Sequence, residues 1–159
     1  MEKTIAIYPG SFNPIHIGHL NIIQKTERIF GKGNVIIVIG INPDKISPEK
    51  RDKYIEDKKL EAHEISKRID RQVIVYNKFL HELVEDYEKL GYNVVIVRGL
   101  RNGSDLDYEV NQMRFINDFK QNINIIFISP DKEFEHISSS SINKIKEFGG
   151  MEMIKKYLI

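Results

Sequence analysis

Apolar residues fall along this chain in two rhythms. Five short runs, Thr4–Tyr8, Val35–Ile41, Gln72–Tyr76, Asn93–Val97 and Asn124–Ser129, are apolar and rich in β-branched side chains. Stretches such as VIIVIGI and VVIV do not alternate with polar residues. That is the pattern of strands buried on both faces of a parallel sheet. Between the runs lie longer polar stretches with helical spacing. Gly18–Phe30 carries Leu20, Ile23 and Phe30 on one side. Ser47-Pro48-Glu49 is a helix start: a capping residue, a proline suited to the first position, then an acid near the positive end. The helix it opens sets Ala62, Ile65 and Ile69 on one face. Leu80–Leu90 predicts a third helix, closed by Gly91. Ser104 is placed to cap a fourth that runs to about Lys120. Ser138–Phe148, the Gly149-Gly150 break and a last helical piece ending at Ile159 complete the pattern.

Strands and helices thus alternate, and extra helices follow the fifth strand. The fold class this predicts is α/β: a doubly wound, five-stranded parallel sheet of Rossmann-like type with C-terminal helices. The whole span, residues 1–159, reads as a single domain. Sheets of this kind bind ligands beyond the carboxyl ends of their strands, where the winding reverses. The informative segments are therefore GSFNPIHIGH after the first strand, INPDK after the second, RGLRNG after the fourth and SPDKEFEHISSSS after the fifth.

Composition narrows the function. Apolar residues make up 41% of the chain, enough for a real core, and the formal net charge is only +1. A general nucleic-acid binder would be plainly basic, so no nucleic-acid partner is expected. The chain has no cysteine, which excludes disulfides, thiolate metal sites and a cysteine nucleophile and fits a reducing compartment. The start, MEKTIAIYPG, carries no secretory pattern, and no apolar run approaches the length of a membrane span. A cytoplasmic protein with no membrane partner is the expectation.

Four constellations carry chemistry. In the first, Gly10 and Gly18 bracket a strand-to-helix turn with His16 and His19 three residues apart. A helix N-terminus favours an anion, and two imidazoles there add donors for phosphate oxygens. The plain alternative is a tight turn with solvated histidines; a zinc site would need a third ligand that the sequence does not offer. The second is Arg98-Gly99-Leu100-Arg101 with Asp105, Asp107, Tyr108 and Glu109 behind it. Guanidinium donors match phosphate oxygens in pairs, and ion pairing with Asp105 or Asp107 is the competing use. The third, Ser138 to Ser140 with Ser141 following, is either a set of helix caps or an anion nest. The fourth is the loop lysine Lys45, whose plain reading is solvation.

The HIGH of GSFNPIHIGH resembles the (H/T)xGH signature of the nucleotidylyltransferase superfamily, which is related to class I aminoacyl-tRNA synthetases. RGLR followed by D.DYE, and ISSS further on, resemble the bacterial phosphopantetheine adenylyltransferases over the whole chain. This resemblance implies adenylyl transfer from ATP to 4′-phosphopantetheine, with dephospho-coenzyme A and pyrophosphate as products. It implies His19, Lys45 and Arg98 as catalytic residues. It places Ser11, Phe12, His16, His19, Gly99, Leu100, Arg101 and Glu109 on ATP, together with Phe134, Glu135, His136, Ile137, Ser138, Ser139 and Ser140. It places Ser11, Lys45, Val84 and Arg98 on the acceptor, where Val84 also fits a buried helix face. Mg²⁺ is expected with ATP, held mostly by triphosphate oxygens and water, with no protein ligand assigned. A homo-oligomer, by resemblance a hexamer, is implied.

Departures bear on the acceptor. Asn13 stands where an Asp is common, His16 where Thr is frequent, Ile116 where an Asn would line the acceptor site, and Ser141 where an aliphatic residue is expected. GSFNPIHIGH also looks like nicotinate- or nicotinamide-mononucleotide adenylyltransferases. A pyridine acceptor wants a flat ring clamped between aromatics. Near the loops stand Phe12, Tyr108, Phe115 and Phe134, of which the resemblance puts Phe12 and Phe134 on ATP. No convincing pair is left, with Phe79 and Tyr87 on a neighbouring helix as the other aromatics in reach. A non-catalytic nucleotide-binding module on the same fold is the alternative from another class.

Overall fold

A computed structural model describes residues 2–159, Pro43 by its backbone alone. The strands are β1 (Lys3–Gly10), β2 (Val35–Gly40), β3 (Val73–Tyr76), β4 (Tyr92–Gly99) and β5 (Asn124–Ile128). All pair in parallel, in the order β3-β2-β1-β4-β5. The expected doubly wound sheet is therefore present, and the runs that do not alternate are indeed sandwiched. Ile7, Ile37, Ile96 and Val97 are fully buried.

Helices α1 (Ile17–Phe30), α2 (Arg51–Ile69), α3 (Leu80–Lys89), α4 (Gly103–Phe119), α5 (Ser139–Glu147) and α6 (Met151–Ile154) follow the predicted order. Among the described residues, no helix is long and apolar enough to cross a membrane. Two apolar layers form. Tyr8, Phe12, Ile22 and Ile23 join Ala62, Ile65 and Ile69 of α2 under one face. Leu83 and Val84 of α3 meet Ile5, Ile7, Ile36 and Ile96 on the other. At roughly 1.5–3 kcal/mol per fully buried large side chain, these layers dominate stability.

Two helix starts differ from expectation. The fourth helix is capped by Asn102, whose side-chain oxygen accepts from the Asp105 N–H at 3.0 Å, rather than by Ser104. Asn is as good a cap as Ser, and it lies in extended backbone where Ser104 is already helical. Ser47 precedes a 3₁₀ turn, Pro48–Lys50, and its hydroxyl makes no capping bond. The proline fixes the turn that leads into α2, so the cap is dispensable there.

The sheet order puts the turning point between β1 and β4. Their following loops depart to opposite sides and open a crevice. GSFNPIHIGH and RGLR, distant in sequence, are the two loops that border it.

Candidate active site

The signature loop is built around its histidines. His16 is the N-cap of α1, in extended backbone, and its Nδ1 accepts from the Gly18 N–H at 3.1 Å. His19 returns the favour, its Nδ1 accepting from the His16 N–H at 3.1 Å. This is a capping box made with imidazoles. The glycine between them is a steric demand: a Cβ on Gly18 would sit 2.9 Å from the His16 ring. The two rings stack with centroids 3.7 Å apart.

Beneath them lies Phe12, 2% exposed, held at a positive φ of 48°. Its ring meets His19 edge-on at 4.9 Å and Tyr8 at 5.3 Å. The ring also explains Gly10, where a Cβ would come within 3.0 Å of it.

These contacts fix protonation. Burial first, then the Arg101 charge, lowers the pKa of His16 from 6.5 to about 4. Burial, then His16, then Arg101 holds His19 well below the ordinary imidazole value. Both rings are therefore neutral at pH 7. With each Nδ1 spent as an acceptor, the hydrogen-bond pattern assigns the hydrogen to Nε2, which becomes a donor. Neutral donors aimed at an anion avoid the repulsion that two stacked imidazolium ions would suffer. The Nδ1 commitments also weaken the zinc alternative: among the described residues no cluster of three metal-ligating side chains forms.

Arg98, at the end of β4, and Arg101, just after it, are held by carboxylates of α4. Arg98 donates from Nε and Nη2 to Glu109 at 2.6 and 2.8 Å. Arg101 donates likewise to Asp105 at 2.9 and 3.0 Å. The competing use is thus met for Arg101 and Asp105, while the partner of Arg98 is Glu109 rather than Asp107. Each fork engages one edge of the guanidinium. Arg98 Nη1 also donates to the Pro9 carbonyl at 3.5 Å, and the donors that remain on the far edges suit a phosphate.

The third wall is α5. The Ser138 hydroxyl accepts from the Ser141 N–H at 3.0 Å and donates to the Ser141 hydroxyl at 2.8 Å. The capping role is real for Ser138, and Ser141 packs as its partner. Ser139 Oγ donates to the Pro14 carbonyl at 2.9 Å and Asn143 Nδ2 to that of Asn13 at 3.2 Å, tying α5 to the signature loop. The loop after β5 is pinned to α1 through Asn21, which exchanges two 2.8 Å bonds with Asp131.

Two cavities result. The first, of about 280 Å³, is lined by Phe12, His16, His19, Arg98, Gly99, Arg101, Glu109, Phe134, Ile137 and Ser138 to Ser140. The second, of about 330 Å³, lies between α3 and α4 and is mostly apolar, with Phe79, His81, Tyr108, Gln112, Phe115, Ile116 and Phe119 in its wall. Arg98 and Glu109 line both.

Of the remaining expected residues, Ser11 and Lys45 are exposed and line neither cavity, as do Glu135 and His136. Leu100 is tied by its backbone N–H to the Ile128 carbonyl at 3.0 Å. Val84 is fully buried in the α3 layer and lines neither cavity, so its side chain belongs to the core. Sequence reasoning missed Tyr8, Ile22 and Pro130 in the first cavity. In the second cavity's wall it singled out Arg98, Tyr108, Glu109, Phe115, Ile116 and Phe79, and missed His81, Gln112, Met113 and Phe119. Tyr8 sits in a strand run and Ile22 in an apolar helix face, so only the sheet order reveals that they border the crevice.

Residues 7–145 match the family model described as cytidylyltransferase-like. A phosphopantetheine adenylyltransferase of Clostridium novyi is 36% identical over 149 residues, covering 92% of this chain and 85% of its own. The chain belongs to the phosphopantetheine adenylyltransferase family. The relative of that name from Crocosphaera subtropica is also 36% identical, over 92% of this chain and 87% of its own. One from Clostridium botulinum is 32% identical over 91% and 83%. Among solved structures, the lipopolysaccharide core biosynthesis protein from Thermoplasma volcanium shares the fold. Its TM-score is 0.51 at 17% identity, covering 80% of this chain and 97% of that one.

Proposed function

We infer that this chain transfers the adenylyl group of ATP to 4′-phosphopantetheine, giving dephospho-coenzyme A and pyrophosphate. The observation that carries this reading, beside the family, is that a donor-lined cavity and an apolar cavity meet at Arg98. The first suits a nucleoside triphosphate. Its donors are two neutral imidazoles, the free edge of Arg101 and the N-termini of α1 and α5. The second suits an uncharged arm, with the arm's terminal phosphate reaching Arg98 at the junction.

In the reaction, a phosphate oxygen of the acceptor forms a bond to the α-phosphorus of ATP as the bond to the β-phosphate oxygen breaks. Pyrophosphate carries off the electron pair. A phosphate monoester is already nucleophilic at neutral pH, so the chain needs no strong base. Its work is positioning and charge stabilisation. His19 donates to the α-phosphate as negative charge builds there. His16 and Arg101 hold the rest of the triphosphate, with Gly99, Leu100 and Ser138 to Ser140 around it. Lys45 and Ser11, which line neither cavity, are assigned to the reacting phosphates by the resemblance alone.

Mg²⁺ bound with ATP would supply neutralisation of the triphosphate charge. The carboxylates nearest the first cavity, Asp105 and Glu109, are engaged by arginines, so triphosphate oxygens and water would hold the ion. We place the protein's work in the cytoplasm, with no nucleic-acid partner, as a homo-oligomer. The family resemblance supports a hexamer, which sedimentation velocity would read directly. The function itself is tested by pyrophosphate release from ATP and Mg²⁺ with 4′-phosphopantetheine. Turnover, with dephospho-coenzyme A identified by mass and lost on EDTA addition, is the expected result. ATP binding by calorimetry without pyrophosphate release would mean a non-catalytic module.

A further inference from the structure

The turn from loop to helix at His16 is braced from outside the cavity. His16 forms an isolated antiparallel bridge with Leu158, far away in sequence. Leu158 is held on both sides. Tyr157 and Leu158 pack on the Ile137, Ile142 and Ile154 cluster together with Ile17 and Phe134. Ile159 packs instead against the main core, and its carbonyl accepts from Arg68 Nη1 at 3.4 Å. The segment therefore ties three bodies together: the start of α1, the loop around Phe134, and α2.

His16 has no slack to absorb a loss of that brace. Its N–H donates to His19 Nδ1, its Nδ1 accepts from Gly18, and its carbonyl accepts from Leu20 at 3.2 Å. The residue is 4% exposed and in extended backbone, the conformation that pairing with a strand-like neighbour enforces. Helix N-termini fray unless tied down, and an N-cap that swings away releases both bonds of the box. Residues 157–159 line neither cavity. Any effect they have on the reaction must then pass through residues they touch, His16 by the bridge or Phe134 and Ile137 by packing, and the imidazole signals tell the first route from the second.

We propose that residues 157–159 are a positioning strap, which through the Leu158 bridge holds His16, and with it the Nε2–H donors of His16 and His19, aimed into the ATP cavity. This rests on the function proposed above for its kinetic arm alone. Groups that orient a functional imidazole from behind are the recurring way such rings are kept in one tautomer.

The test compares Leu158→Pro with Leu158→Val in the full chain. Proline removes the N–H that bonds the Lys155 carbonyl at 3.2 Å and disfavours the helical backbone of Tyr157, so the strap lifts. Valine keeps the backbone. The expected result for proline is a kcat lowered roughly 10-fold or more, from the misaimed His19, with KM for ATP raised as well, because His16 holds the triphosphate. In ¹⁵N-histidine spectra at pH 7.5, the His16 and His19 signals should pass from one Nε2–H tautomer to a mixture, while His63 and His81 stay put. Valine should resemble the wild type in both readouts. A folded proline variant that loses only melting temperature, with turnover and imidazole signals within about 2-fold of wild type, overturns the strap. Should the proline variant not fold, Ile159→Ala removes just the anchor in the core, and unchanged imidazole signals there overturn it equally. The spectra need no acceptor. A wild type with ordered imidazoles but no dephospho-coenzyme A would sink the proposed function and leave the strap standing.

Discussion

A histidine used as a helix cap ties protonation to folding. His16 caps α1 through Nδ1, and burial depresses its pKa to about 4. The unfolded chain therefore takes up a proton near pH 6.5 that the folded chain refuses until near pH 4. Stability is full above pH 6.5 and falls as acid is added through that window, by roughly 3 kcal/mol for this one residue. His19 pushes in the same direction. His16→Thr keeps a capping oxygen and removes the titration. Urea unfolding at pH 7.5 and pH 4.5 should show a visibly smaller acid loss in the variant. An unchanged loss would place the acid sensitivity elsewhere. His19→Ala should lower kcat roughly 100-fold, in the range of a lost oxyanion donor. It should also lower the melting temperature by a few degrees, because His19 accepts the His16 N–H and rests on Phe12. At this scale the sequence was legible as a motif and opaque as a mechanism. HIGH pointed to the ligand, but not to imidazoles that spend one nitrogen on the backbone, nor to a glycine required by the cap itself.

Among elements, β4 and α4 act as one unit. The strand carries Arg98 just before its last residue and the loop supplies Arg101, and α4 returns a carboxylate to each, one helical turn apart. Arg98 faces both cavities and Arg101 only the first. Arg98→Ala should therefore raise the acceptor KM more than that of ATP, and Arg101→Ala should do the reverse. Steady-state KM values for both substrates in both variants decide it, and equal effects would refute the division. The strands and the first three helices were readable because their apolar positions are dictated by a sheet covered on both faces. Helix α4 was readable only in extent. It has no buried residue, so its periodicity gives no register, and the cap fell to Asn102 rather than Ser104. Val84 shows two readings sharing one position. Alignment to a ligand-touching segment and a place in an apolar helix face made the same mark in the sequence, and packing under β1 and β4 chose the core.

At the scale of the whole molecule, the order β3-β2-β1-β4-β5 brings loops from both halves of the chain to one crevice, which no local pattern announces. The alternation of elements foretold it, and with it the first cavity. The second cavity was less legible, because its wall comes from the outward faces of α3 and α4, where apolar residues read as surface. That wall bears on the choice of acceptor. It does contain aromatics, Phe79 among them, as a pyridine mononucleotide would require. Yet Phe79, His81 and Phe119 lie against one another, with centroids 5.4–6.2 Å apart. A ring clamped between two others needs about 7 Å between its jaws, twice the usual stacking distance, and these rings already fill the gap with themselves. Ile116 adds an aliphatic surface where an Asn was expected. An extended, mostly apolar arm ending in one phosphate fits such a wall, with Arg98 at its inner end. Given ATP, Mg²⁺ and each acceptor separately, the enzyme should form dephospho-coenzyme A at least ~100-fold faster than either pyridine dinucleotide, a gap of about 2.7 kcal/mol in transition-state binding. Phe79→Ala should leave ATP binding unchanged and raise the acceptor KM by a few-fold, through lost packing alone. A pyridine dinucleotide formed faster than dephospho-coenzyme A would overturn the acceptor and leave adenylyl transfer itself intact.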